Sequence, residues 1–240
     1  MKLLIGIDDT DNLESRGTGY RVRQLANWLA ENKLAEPKGI TRHQLLVDPQ
    51  IPYTSHNSSA CLSMETENAE DVWEATREFL LRESAAGSDV GLCLAHLELV
   101  TEQVMTFARR AKLEVLTMLE AEQTASKSQI RLVGLTGTGG GIIGALAGVG
   151  LHCAGEDGRF LWLPGLRELK GAYPVAKICS AGHIDRVCTL DGTDLTLDTL
   201  VEVGEWVRPV LRGGQATLYV EEQNHEWYIL AKEHIKSLSN

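Results

Sequence analysis

The chain has 240 residues, with 33 acidic against 23 basic side chains and a formal net charge of −10. Its apolar share of 43% and charged share of 23% are those of an ordinary globular chain. At this length it buries about 70% of its unfolded surface and needs no disulfide or metal staple. The acid excess excludes a surface built throughout to neutralise phosphates, which needs clustered Lys and Arg. Nucleic acid is therefore an unexpected partner, although a local basic patch stays open. The five cysteines, Cys61, Cys93, Cys153, Cys179 and Cys188, include no CxxC pair, so neither a disulfide framework nor a zinc ribbon is expected. Met1 to Ile7 meets acid at Asp8 without a small-residue cleavage site, so no signal peptide is expected. The uncharged stretch from Leu132 to Gly155 carries too many glycines and threonines for a membrane span. The expectation is a soluble, cytoplasmic protein with no membrane partner.

In chain order, Lys2 to Ile7 reads as a buried strand that runs into an acidic turn. Val22, Leu25, Ala26 and Leu29 recur at helical spacing. A second strand is expected at Gln44 to Val47, then a polar loop, then a strand at Ala60 to Met64. Asn68 to Arg82 reads as a helix, and Ala85-Ala86-Gly87-Ser88 as a linker. Val90 to Leu97 predicts a strand, Glu102 to Ala111 and Glu114 to Ala125 predict helices, and Ile130 to Leu135 another strand. A glycine-rich loop and a short helix, Ile142 to Val149, follow. The remainder changes character, with strand-like runs at Phe160 to Leu163, Val175 to Ile178, Val187 to Leu190, Ala216 to Val220 and Trp227 to Leu230. The pattern predicts an α+β (mixed α/β) protein of three parts: residues 1–86, residues 87–165, and a β-rich region at 166–240.

Asp8-Asp9-Thr10-Asp11 sits at the carboxyl end of the first strand. Carboxylates so close repel one another unless a cation lies between them, and hard oxygen ligands suit Mg²⁺, which takes one or two carboxylates plus substrate phosphates. Gly17-Thr18-Gly19 adjoins the start of the first helix. Thr18 is placed to cap it, and the free N–H groups there favour a phosphate. Thr10, Gly17 and Gly19 thus flank a candidate phosphate-and-metal site. The plainer reading, a solvated turn of good turn formers, fits these residues equally well.

Gly139-Gly140-Gly141-Ile142-Ile143-Gly144 satisfies GxGxxG, but the expected helix is too short for a dinucleotide crossover. Two readings remain. Gly139, Gly141 and Gly144 face a ligand, or they let a short helix pack tightly on a sheet. In the loop from Ile51 to Ala60, His56, Asn57 and Ser58 are candidate substrate contacts, with a plain exposed connection as the alternative. No His spacing suits a transition metal and no GxSxG elbow occurs. His183 and Asp185 read as a surface pair.

The order of these motifs carries more than any one of them. Gly6-Ile7-Asp8-Asp9-Thr10-Asp11 at the start, Thr18 and Tyr20 at a helix start, Ile51-Pro52-Tyr53 before a polar turn, and Ile143-Gly144-Ala145-Leu146-Ala147 after the glycines resemble the archaeal tRNA agmatinylcytidine synthetases (TiaS). The resemblance covers roughly residues 1 to 150. It implies a kinase-like N-terminal unit and a ferredoxin-like middle unit, with ATP and Mg²⁺ as cofactors. It further implies that Asp8, Asp9 and Asp11 act catalytically and hold the metal, that Thr18 occupies a phosphorylatable position, and that Gly139, Gly141 and Gly144 form a ligand-facing loop. In that family the attacking amine is agmatine.

The departures matter too. The family's loop reads roughly KTRGNGA where this chain has Thr54-Ser55-His56-Asn57-Ser58-Ser59-Ala60, so two cations are missing. The arginine of its GRG loop is Gly140 here, and its zinc ribbon and oligonucleotide-binding region have no clear counterpart. The sequence therefore suggests an ATP- and Mg²⁺-dependent, ligase- or kinase-like enzyme that activates a small polar substrate, for conjugation to an amine such as agmatine. Two alternatives stand beside it: a non-catalytic nucleotide- or amine-binding regulatory protein, and a tRNA-modifying enzyme that uses a separate RNA-binding partner.

Overall fold

A computed structural model describes residues 1–54 and 56–239. It divides into two compact units, Met1–Ala154 and Gly155–Asn240.

The first unit is built on a five-stranded antiparallel sheet. Its strands are β1 (Lys2–Asp8), β2 (Glu36–Gln44), β3 (Ser58–Glu65), β4 (Gly91–His96) and β5 (Arg131–Gly134), in the spatial order β5-β4-β1-β3-β2. The centre of the sheet is buried on both faces, because alternate residues of β1 all need cover. Leu3, Ile5 and Ile7 point to one face, while Leu4 and Gly6 point to the other, and Leu3, Leu4, Ile5 and Ile7 are all at most 3% exposed. Helices α1 (Thr18–Glu31) and α2 (Ala69–Glu83) pack together, with α1 over β2 and β3. Trp28 and Phe79 meet with ring centroids 5.7 Å apart, and Arg21 pairs with Glu83 at 3.3 Å. Asn68 caps α2, its side chain accepting the N–H groups of Glu70 and Asp71. On the other face lie α3 (Glu102–Arg110), α4 (Met118–Lys127) and α5 (Ile142–Ala154), with α5 in direct contact with β1, β3 and β4.

The second unit has strands β6 (Arg159–Trp162), β7 (Gly171–Pro174), β8 (Arg186–Cys188), β9 (Leu200–Val203), β10 (Val210–Arg212), β11 (Gln215–Gln223) and β12 (Glu226–Ile229), with helices α6 (Val175–Gly182) and α7 (Lys232–Leu238). Its order is β6-β10-β11-β12-β9-β7, with β8 paired in parallel to β11. Val187, Val201, Val203, Leu211, Leu218 and Val220 form its core.

The mixed α+β class agrees with the sequence reading, and several details differ. The 86/87 division falls inside the first unit, because β4 pairs along its whole length with β1, and the second unit begins at Gly155 rather than at 166. The second strand is Glu36–Gln44, upstream of the expected Gln44 to Val47. Val175 to Ile178 is helical, since Val175 and Ile178 bury at a spacing of three residues. Helix α5 runs 13 residues, past Gly148 and Gly150; tight packing on its neighbours outweighs the propensity cost of about 1 kcal/mol per glycine. His183 and Asp185 do not pair. The His183 ring lies 3.0 Å from the Pro164 carbonyl oxygen, and the Asp185 carboxylate accepts the Ala216 N–H at 2.7 Å. Among the described residues no helix is long and apolar enough to cross a membrane.

Candidate functional site

The acidic turn, the polar loop and the glycine loop meet in one pocket of about 190 Å³ within the first unit. Asp8, at the end of β1, forms part of its wall. Burial pushes the Asp8 carboxyl well above the usual carboxylate range. The Asp9 N–H donated to its Oδ1 at 2.9 Å works against that rise, and the charges of Asp9 and Asp11 add to it. Asp9 is also raised, by burial first and then by Asp11 and Asp89, with the main-chain N–H of Asp89 opposing. The chain turns at Asp9 with φ of 51°, the left-handed region that costs a non-glycine residue energy and favours Asp or Asn.

Thr18 is not the helix cap. Gly17 takes that place without a side-chain bond, and Thr18 is the first residue of α1. The cap comes from Asp11, whose Oδ1 accepts the Thr18 N–H at 3.1 Å and the Thr18 hydroxyl at 2.9 Å. Thr18 Oγ1 in turn accepts the N–H and hydroxyl of Thr10, each at 3.2 Å. Thr10 and Thr18 are 1% and 7% exposed, so these bonds are made out of water, where an unmade one costs most. A negative carboxylate at the start of α1 also complements the helix dipole.

Of the residues singled out from the sequence, Asp8, Asp9, Asp11, Thr18, His56, Asn57, Ser58, Gly141 and Gly144 line the pocket. Thr10, Gly17, Gly19 and Gly139 do not; they adjoin the residues that do. The polar loop therefore borders the pocket. It is held by the Asn57 amide donating to the Leu46 carbonyl at 2.6 Å and by the Thr54 hydroxyl donating to the Asp11 carbonyl at 3.3 Å. Ser55 lies outside the described residues.

Sequence reasoning missed several contributors. Asp89 lines the pocket beside Asp9, and Glu114, Val115 and Leu116 enter from the α3–α4 connection. The Ser-Asp pair at the end of the linker was the available signal for Asp89. Leu45, Ile51, Pro52, Tyr53 and Ile143 add an apolar side. The lining holds the carboxylates of Asp8, Asp9, Asp11, Asp89 and Glu114 and no Lys or Arg among the described residues. Arg42 is felt by Asp8 through charge, but it does not line the pocket.

Among the described residues no three His, Cys, Asp or Glu side chains converge as a metal cluster. Hard carboxylate oxygens beside a phosphate are nonetheless the donor set Mg²⁺ takes, one or two at a time.

No family model matches the chain. The uncharacterized protein MJ0921 of Methanocaldococcus jannaschii is 26% identical over 155 residues, which are 62% of this chain and 50% of that protein. Among solved structures, the tRNA agmatidine synthetase TiaS in its apo form aligns at 25% identity with a TM-score of 0.55, over 62% of this chain and 35% of that one. The complex of TiaS with its tRNA and ATP aligns at 26% identity with a TM-score of 0.56, and the complex with tRNA, AMPCPP and agmatine at 25% with 0.54. The chain resembles the catalytic part of TiaS. It spans about half the length of the curated relative and about a third of the solved enzymes.

Proposed function

We propose that the pocket binds ATP with Mg²⁺ and activates a small polar substrate by phosphoryl or nucleotidyl transfer, for conjugation to an amine. The observation that carries this reading is the convergence of Asp8, Asp9, Asp11 and Thr18 on one pocket with the glycine loop, in a chain similar to a protein solved in complex with ATP. Asp8 and Asp9 would hold the Mg²⁺. Bound there, the ion would offset charge on the transferring phosphoryl group, the main electrostatic need of that chemistry. The donor set fits: both carboxyls are shifted upward by burial and by neighbouring carboxylates, which a cation would offset.

Asp11 orients the Thr18 hydroxyl and is placed to accept its proton, the arrangement of an oxygen nucleophile with its base. Thr18 is thereby the candidate for phosphorylation from ATP. His56, Asn57 and Ser58 bring imidazole, amide and hydroxyl groups to the substrate side. The carboxylate lining suits an amine such as agmatine, which is present in one of the similar TiaS complexes. The same set of complexes contains tRNA, and this favours one second reading, in which the polar substrate is a tRNA nucleotide presented by a separate RNA-binding partner. The deciding experiment is isothermal titration of Mg·AMPCPP into the wild type and Asp8→Asn, followed by ATP turnover with candidate substrates. Saturable binding lost in Asp8→Asn supports the proposal; equal binding or equal turnover by both refutes it.

A further inference from the structure

The glycine loop has the composition of an anion-binding nest, and the Asp89 side chain already fills it. Asp89 Oδ1 accepts the Gly139 N–H and Oδ2 accepts the Thr138 hydroxyl. The main-chain oxygen of Asp89 accepts the Gly141 N–H at 3.1 Å. The glycines follow from this arrangement. A Cβ on Gly137 would stand 2.8 Å from Asp89 Oδ1, and one on Gly140 would stand 3.2 Å from Oδ2. A Cβ on Gly141 would lie 2.3 Å from the Asp89 carbonyl oxygen. At Gly137 and Gly141 the loop thus wraps Asp89 so closely that a side chain has no room. On either side of Asp89 the same stretch is stitched to the loop, with the Thr136 hydroxyl donating to the Ser88 carbonyl at 2.7 Å and accepting the Val90 N–H at 2.9 Å.

We propose that Asp89 is a positioning residue: its carboxylate is the resident anion of the glycine loop, and it fixes the start of α5, with Gly141 and Gly144, against the acidic turn. Backbone N–H groups gathered in a nest favour a negative charge, and charge-assisted bonds to a carboxylate are about twice as strong as neutral ones. With Asp89 in place, the loop shapes the pocket wall and would leave phosphate recognition to the acidic turn and the Mg²⁺ proposed there.

The test is chemical rescue in the full chain. Asp89→Ala empties the nest, and formate is the small carboxylate that refills it. The variant is expected to melt about 4 °C or more below wild type, in line with losing charge-assisted hydrogen bonds. Its Gly139 and Gly141 amides are expected to exchange faster. Sodium formate, compared with sodium chloride at equal ionic strength, should recover part of the melting temperature and slow that exchange in the variant, with little effect on wild type. Equal action of the two salts on Asp89→Ala, or equal gain by wild type from formate, overturns the proposal. Should Asp89→Ala not fold, Asp89→Asn decides: faster Gly139 exchange without formate rescue supports the nest, and wild-type exchange overturns it. None of these readings needs a nucleotide. A wild type that binds no Mg·AMPCPP would refute the proposed function, while the comparison of the two salts would still decide the role of Asp89.

Discussion

Gly144 on α5 approaches Asp8 at the end of β1 so closely that a Cβ on Gly144 would lie 1.7 Å from Asp8 Oδ2. One turn on, a Cβ on Gly148 would stand 2.8 Å from the Ser59 hydroxyl. The next residue at that spacing, His152, shares the Thr41 hydroxyl with His43, each ring nitrogen 2.8 Å from it. One face of α5 therefore rests on a polar row that leads away from the pocket, and small residues at the near end let the helix sit low.

Gly144→Ala is expected to force α5 off the sheet or displace the Asp8 carboxylate. Overpacking of this kind costs about 1–3 kcal/mol, and Mg·AMPCPP affinity should fall at least tenfold, about 1.4 kcal/mol. Urea unfolding and calorimetric titration measure both. A variant equal to wild type in both would contradict the close contact.

Asp8→Asn should be more stable than wild type in metal-free buffer. The folded pKa of Asp8 lies above its unfolded value of 3.8, so the folded state holds the proton more tightly. Its contribution is fully present below that unfolded value and is lost as pH rises through the raised folded value. Above the unfolded value, the burial that raises this carboxyl costs the folded state stability that the variant does not lose, worth about 2–4 °C in melting temperature per kcal/mol relieved. Added Mg²⁺ should stabilise wild type and not the variant. Thermal melts from pH 4 to 8 with and without Mg²⁺ check this, and a variant that melts lower at pH 7 counts against it.

Thr18→Val removes the hydroxyl that joins Asp11 to Thr10 while keeping the side-chain shape. Leaving those buried partners unmet should cost about 2–3 kcal/mol, and Thr18→Ser should restore most of it. Chemical denaturation of the pair is the measurement. A valine variant as stable as wild type would mean that the Thr10–Thr18–Asp11 chain contributes nothing.

Burial drives the His152 pKa from 6.5 down to about 3, and the neighbouring His43 adds to the shift. The neutral ring is the folded form, so the stability it contributes is present above pH 6.5 and lost as pH falls toward 3. Proton NMR of the His152 ring should show no titration between pH 8 and 5, while acid unfolding sets in below that range. A midpoint near 6.5 in the folded protein would refute the buried assignment.

Much of the first unit could be read along the chain. Leu3, Ile5 and Ile7 on one face, Val22, Leu25 and Leu29 at helical spacing, and Asn68 before α2 are local signals, and local spacing decides local structure. The reading failed where tertiary packing outweighed propensity. Gly150 looked like the end of a helix, yet α5 passes through it, packed so closely that a Cβ there would lie 2.5 Å from Ala108 Cβ. Glu36–Gln44, with Pro37 and Gly39 inside it, has the composition of a poor strand, and pairing with β3 settles it.

By itself the sequence determined that carboxylates cluster after the first strand, that glycines cluster before a helix, and that both stand in the order seen in TiaS. It left undecided whether either cluster met a ligand or only solvent. The tertiary structure brought β1, the 45–57 loop and the start of α5 around one pocket, so that both clusters border the same cavity. It also showed that Asp89, 50 positions before Gly139, accepts the Gly139 N–H inside the glycine loop. The reason is physical: a hydrogen bond across fifty residues leaves no periodicity in the chain, and only the antiparallel pairing of β4 with β1 and β5 carries Asp89 to the loop.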